Sequence, residues 1–202
     1  MNALPCFARQ WPGALRLTCL SVLLTVCSAS AQATWDVALL MQGLAQNKSG
    51  RASFVETKYI AMLEKPLESS GELLFTAPDR LEKRTFKPRP ESLLIENGIL
   101  TIERGKRRNV LRLQDYPELV VFTESIRGTL AGDAVALKRI YSLSLEGSAE
   151  GWMLNLRPID AKMLEQVQRV RIGGSHAEVK SIEIEQADKD RSVMVINRLS
   201  GP

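Results

Sequence analysis

From about residue 50 to residue 112 the chain runs in short stretches rich in Val, Ile, Leu and Phe. Turn residues cut them at Lys65-Pro66, Ser69-Ser70-Gly71, Ala77-Pro78-Asp79, Lys87-Pro88-Arg89-Pro90, Asn97-Gly98 and Arg104-Gly105-Lys106. Runs this short suit strands better than helices, and Asn-Gly is a hairpin signal, so the pattern predicts an antiparallel meander. The rhythm resumes at 140–145, 152–156, 167–172, 179–184 and 192–199, with Asp188-Lys189-Asp190 as a tight turn. Two segments break it. Behind Thr34, an N-cap residue type, Val37, Leu40, Met41 and Leu44 recur at i, i+3, i+4 and i+7, which predicts a short amphipathic helix ending near 47–50. Over about 116–139, Pro117 can open a helix, Leu119, Val120, Phe122, Ile126 and Leu130 lie close to one face, and Gly128 and Gly132 loosen its end. The fold class is therefore mainly β with α: one curved antiparallel sheet, or an unclosed barrel, with helices across its mouth.

Such a sheet has a concave face to fill. Alternation sets Leu73 with Phe75, Leu93 with Ile95, Leu100 with Ile102, Tyr141 with Leu143 and Leu145, and Trp152 with Leu154 and Leu156 on shared faces. Either the helices pack these faces into an ordinary core or part of the face walls an apolar cavity. Periodicity leaves both readings open.

All three cysteines, Cys6, Cys19 and Cys27, precede residue 28. Arg9 and Arg16 are the only charges before Asp36, residues 15–26 are mostly apolar, and Ser28-Ala29-Ser30-Ala31-Gln32-Ala33 supplies small residues. This is the pattern of a secretory signal over 1–33, cleaved after Ala33 or Ala31, and the apolar run is shorter than the roughly 20 residues a spanning helix needs. Val26 is bulkier than the residue a lipoprotein signal places before its cysteine, so Cys27 is expected to leave with the signal. Residues 34–202 then form one cysteine-free domain, without disulfides, thiolate metal sites or cysteine nucleophiles. Losing Arg9 and Arg16 lowers the formal charge from +4 to +2, which weakens any nucleic-acid reading.

Catalytic signals are sparse. The single histidine, His176, follows Gly173-Gly174-Ser175 in an expected hairpin turn, too isolated for a zinc site. Glu183 and Glu185 fit the solvent face of a strand better than an acid/base pair. No nucleophile, metal or cofactor motif is present, so the chain is read as non-enzymatic and without a cofactor. Two basic clusters, Arg80, Lys83, Arg84, Lys87 and Arg89, then Arg104, Lys106, Arg107, Arg108 and Arg112, read either as solvated hairpin charge guarding an edge or as a patch for an anionic membrane or acidic partner.

The run Ala52-Ser53-Phe54-Val55-Glu56, the stretch from Lys65-Pro66 through Ser69-Ser70-Gly71-Glu72-Leu73-Leu74-Phe75, the Pro78-Asp79-Arg80-Leu81 motif and Glu91-Ser92-Leu93-Leu94-Ile95-Glu96-Asn97-Gly98 resemble the N-terminal half of the periplasmic lipoprotein carrier family, LolA. The likeness is densest over about residues 35–103. It implies an unclosed antiparallel barrel with a helical lid, whose cavity receives lipoprotein acyl chains and ferries them from an inner-membrane release complex to an outer-membrane acceptor. Burying a methylene is worth about 0.8 kcal/mol, so a chain of some sixteen carbons carries roughly 12 kcal/mol. A movable lid that covers its own apolar face when empty would bring binding and release near balance. The sequence departs from the family at Ala77, where a basic residue that tethers the lid commonly precedes the proline, and at Lys83, where an aromatic is common.

The resulting expectation is a monomeric periplasmic carrier of lipoprotein acyl chains or another amphiphile, binding no nucleic acid. Leu73, Phe75, Leu81, Leu93, Ile95, Leu100 and Ile102 line the wall, and Leu40, Leu44, Phe122 and Ile126 close it. The alternatives are a lipid-sensing or scaffolding envelope module on the same fold, or a lipid-anchored acceptor if Cys27 is acylated.

Overall fold

A computed structural model describes residues 35–199, which contain an eleven-stranded antiparallel sheet crossed by helices. The signal segment with its three cysteines, and Thr34, lie outside the described residues. Helix α1, Val37–Leu44, is capped by Asp36, whose Oδ1 accepts from the Leu39 amide at 2.9 Å, and it buries Leu40, Met41 and Leu44. The meander follows as β1 Ser49–Tyr59, β2 Leu67–Thr76, β3 Arg80–Lys87, β4 Glu91–Glu96, β5 Ile99–Arg104 and β6 Arg107–Arg112. Asn97 at φ 51° and Gly98 at φ 70° make the β4–β5 hairpin, as Asn-Gly predicts.

One expected turn is not a turn. Ser69-Ser70-Gly71 lies inside β2, where the register to β3 shifts between Ser70 and Gly71. A Cβ on Gly71 would sit 1.9 Å from the Arg84 carbonyl oxygen, so the glycine serves a bulge and a close strand contact.

After a 3-10 turn at Leu113–Asp115, α2 Pro117–Ala131 and α3 Ala134–Ile140 carry the chain over to β7 Tyr141–Ser148. The glycines expected to loosen this region tighten it instead. A Cβ on Gly128 would come within 2.8 Å of the Leu137 side chain, and one on Gly132 would meet the Met41 carbonyl at 2.2 Å. Gly132 also ends α2 in the left-handed conformation at φ 67°, which glycine adopts without a Cβ penalty. Asp133 caps α3, accepting from the Ala136 amide. Then come β8 Gly151–Pro158, the one-turn helix α4 Ala161–Leu164 that periodicity did not predict, β9 Val167–Ser175, β10 Glu178–Gln186 and β11 Arg191–Arg198.

The strand order is β6-β5-β4-β3-β2-β1-β11-β10-β9-β8-β7. The first and last strands therefore pair in the middle of the sheet, Phe54 opposite Ile196 and Glu56 opposite Met194. The free edges are β6 and β7, and the connection between them is the helical segment. The sheet stays open on the side the helices cross, which is the architecture expected from the strand rhythm.

On the concave face the helices pack a core mainly against β7–β10, and this core meets a cavity at Leu44, Ile182, Met194 and Ile196. The core joins Leu40, Met41 and Leu44 of α1, Val121 of α2 and Leu137 of α3 to Tyr141, Trp152, Leu154, Leu156, Val170, Ile172 and Ile182 of β7–β10. The Tyr141 hydroxyl donates to the Val121 carbonyl, and burial pushes its phenol above the ordinary range.

Candidate functional site

The register aligns the inward positions of the meander into two rows. Phe75, Leu81, Ile95, Leu100 and Leu111 face one another across β2–β6, and Ala52, Leu73, Lys83, Leu93 and Ile102 across β1–β5. The second row is apolar except at Lys83. Helix α2 stands over these rows, with Leu119, Phe122, Ile126 and Leu130 at i, i+3, i+7 and i+11, while its other face, with Val121, Ser125 and Thr129, is buried. Between them lies a cavity of about 530 Å³, within the roughly 300–1,000 Å³ usual for small-ligand pockets. Phe75, Leu81 and Leu100 in its wall are buried, at 7%, 8% and 7% exposed, while Leu73, Leu93, Ile95, Phe122 and Ile126 are half-buried.

Nine of the residues expected from the sequence border this cavity: Leu44, Leu73, Phe75, Leu81, Leu93, Ile95, Leu100, Phe122 and Ile126. Leu40 lies in the core beneath the helices. Ile102 sits near the sheet edge between Leu93 and Asn109, away from the cavity. Sequence reasoning missed the other wall, Ile182 and Ile184 of β10 with Met194 and Ile196 of β11. It faces β2 only because β1 and β11 pair, a contact between distant parts of the chain.

Sequence reasoning also missed a charged station in the cavity. The Glu56 side chain is only 7% exposed; its carboxylate pairs with the Lys83 ammonium and accepts from Ser192 Oγ at 2.7 Å and Ser69 Oγ at 3.3 Å. Lys58 Nζ stands 3.7 Å away, and Lys83 Nζ lies 4.8 Å from the centre of the Phe54 ring. Burial alone would raise the Glu56 pKa, but the charge and hydrogen bond of Lys83, helped by Ser192 and Lys58, hold it below the ordinary range. The available signal was alternation in β1, which puts Phe54, Glu56 and Lys58 on one face.

One contact reaches from α2 to the β2–β3 turn. Where the family commonly has a basic residue this chain has Ala77, whose amide donates to the Lys48 carbonyl. A cation comes from the helix instead: Arg127 of α2 makes a long, 3.5 Å contact to the Pro78 carbonyl while paired with Glu124.

Ion pairs engage several of the other charges singled out in the sequence. Glu183 and Glu185 pair with Arg169, Arg171 and Arg191. In the basic clusters, Arg80 and Arg84 pair with Glu82, Arg104 with Glu91 and Arg108 with Glu103. His176 occupies the β9–β10 turn at φ 52°, where its carbonyl accepts from Trp152 Nε1 at 2.9 Å.

Among solved structures, the chain is similar to a LolA superfamily protein from Nitrosomonas europaea, at 11% identity over 83% of this chain and 96% of that one, with a TM-score of 0.46. It is also similar to a DUF1329 family protein from Desulfovibrio piger, at 12% identity over 82% and 92% of the two chains and a TM-score of 0.49. A third likeness is to the complex of Pseudomonas aeruginosa MucA and MucB, at 12% identity over 82% of this chain and 58% of that one, with a TM-score of 0.44. Among curated proteins none matches the chain. The family model described as outer membrane lipoprotein carrier protein LolA-like matches residues 28–196, and the chain belongs to that family.

Proposed function

We propose that this protein is a periplasmic, non-enzymatic carrier that takes acyl chains of lipoproteins, or of another amphiphile, into its cavity and moves them towards the outer membrane. The observation that carries the reading is the apolar space between β2–β5 and α2, bounded by Leu73, Phe75, Leu81, Leu93, Ile95, Phe122 and Ile126. A core would fill that space with side chains. Here large apolar residues on both sides leave room for a ligand of pocket size. Membership of a family described by lipoprotein carriage supports the same reading, and so does the sequence pattern of residues 1–33, basic, then apolar, then small, which we read as an export signal.

The helical cover suits such a cargo. Phe122 and Ile126 of α2 border the cavity across from the wall of β2–β5, so an entering chain exchanges water for apolar contact with helix and sheet together. Retention of a radiolabelled palmitoylated lipopeptide by the protein, purified as the cell processes it, tests the proposal. Stable retention that Leu81→Glu abolishes is the expected result. No retention, or retention indifferent to that change, would refute it.

A further inference from the structure

Stability does not explain a charged pair on the apolar face of a cavity. Apolar residues of similar volume are often as stable as a buried ion pair or more so, because two charges must be desolvated. The arrangement is also unbalanced. Glu56 is satisfied: one carboxylate oxygen accepts from Ser192 and the other from Ser69 and Lys83. The cations are not. An ammonium has three donors, and Glu56 is the one hydrogen-bond acceptor found for Lys83 among the described residues. Lys58, half exposed, stands 3.7 Å from the same carboxylate, beyond hydrogen-bond range. Two cations thus share one carboxylate, and Glu56, Lys58 and Lys83 all border the cavity. The neighbouring Arg191 is already engaged, pairing with Glu183 and stacking on Tyr59.

Lys83 sits in register between Leu73 and Leu93, two residues along β3 from Leu81 and on the same inward face. A ligand whose polar atoms meet Lys83 therefore has its apolar portion beside the wall of Leu81, Leu93 and Ile95. We propose that the cavity takes an acyl amphiphile with an oxyanion head, carboxylate or phosphate, held by Lys83 and Lys58 while Glu56 keeps Lys83 in place. This inference rests on the carrier reading and adds the class of head group to it.

The test compares three probes of equal chain length on the delipidated protein, each below its solubility or micelle limit: palmitate, 1-palmitoyl lysophosphatidate and hexadecanol. At neutral pH at least one oxyanion probe binds about tenfold more tightly than hexadecanol, the effect of one charge-assisted hydrogen bond. Which of the two binds more tightly tells a carboxylate source from a phosphate source. Lys83→Met removes the preference and leaves hexadecanol binding intact, which also shows that the variant is folded. Lys58→Met, at a half-exposed residue, reduces the preference even if Lys83→Met fails to fold. Lys138→Met, on α3 away from the cavity, leaves it unchanged. Equal binding of all three probes would overturn the head-group inference and leave the acyl carrier standing. Binding of none would overturn both.

Discussion

Replacing Lys83 by Met keeps an unbranched side chain over Phe54 but strips Glu56 of its closest cation. The Glu56 side chain is 7% exposed and Lys83 20%, so the carboxylate depends on the pair far more than the ammonium does. Breaking a fully buried pair costs about 3–5 kcal/mol. Here Ser192, Ser69 and Lys58 remain near the carboxylate, so we expect the loss of roughly one charge-assisted hydrogen bond, about 2–3 kcal/mol. Adding Glu56→Gln removes the uncompensated charge and keeps an acceptor for Ser192, so the double variant recovers to within about 1 kcal/mol of the parent, a coupling only contacting residues give. Urea unfolding of the four proteins at neutral pH measures this. The effect depends on pH in a defined direction. The folded-state pKa of Glu56 lies below its unfolded value, so the pair stabilises fully above the ordinary carboxylate value of 4.5 and fades as pH falls through the folded value. The gap between parent and Lys83→Met therefore narrows in acid. A single variant within 0.5 kcal/mol of the parent, or losses that simply add, would refute this reasoning.

Three further outcomes follow from the packing. Leu81→Glu sets a carboxylate among Phe75, Ile95 and Leu93, and lipid retention falls by more than about tenfold while far-ultraviolet circular dichroism keeps the strand signal. Gly132→Ala adds a Cβ 2.2 Å from the Met41 carbonyl at a φ of 67°, so it costs at least about 1–2 kcal/mol in denaturant unfolding, and unchanged stability would contradict the α1–α2 contact. Tyr141→Phe removes the hydroxyl that donates to the Val121 carbonyl and costs about 1 kcal/mol, measured the same way.

Local chemistry made the strands legible. Asn97-Gly98, Ala77-Pro78-Asp79 and Asp188-Lys189-Asp190 turn the chain where their conformational preferences say they should. The same chemistry misled at Ser69-Ser70-Gly71, because a glycine required by a close carbonyl in the folded sheet reads locally as a turn. Gly128 and Gly132 were misread for the same reason: their neighbours, Leu137 and Met41, come from other helices. In the cavity, alternation was enough for the β2–β5 wall, since a strand's faces follow from its own sequence. The wall from β10 and β11 needed the β1–β11 pairing between the two ends of the domain. Lys83 stood out as a departure from its family and as one of a basic cluster, not as half of an ion pair. Its partner Glu56 lies two strands away, across β2, and no spacing along the chain connects them.

The central claim, that the cavity holds an acyl chain, is tested most directly by native mass spectrometry of the protein extracted gently from its own envelope. The account predicts a bound species heavier than the polypeptide by one acyl amphiphile, lost in the Leu81→Glu variant. Polypeptide of bare mass, or a stable complex with another protein and no lipid, would contradict it.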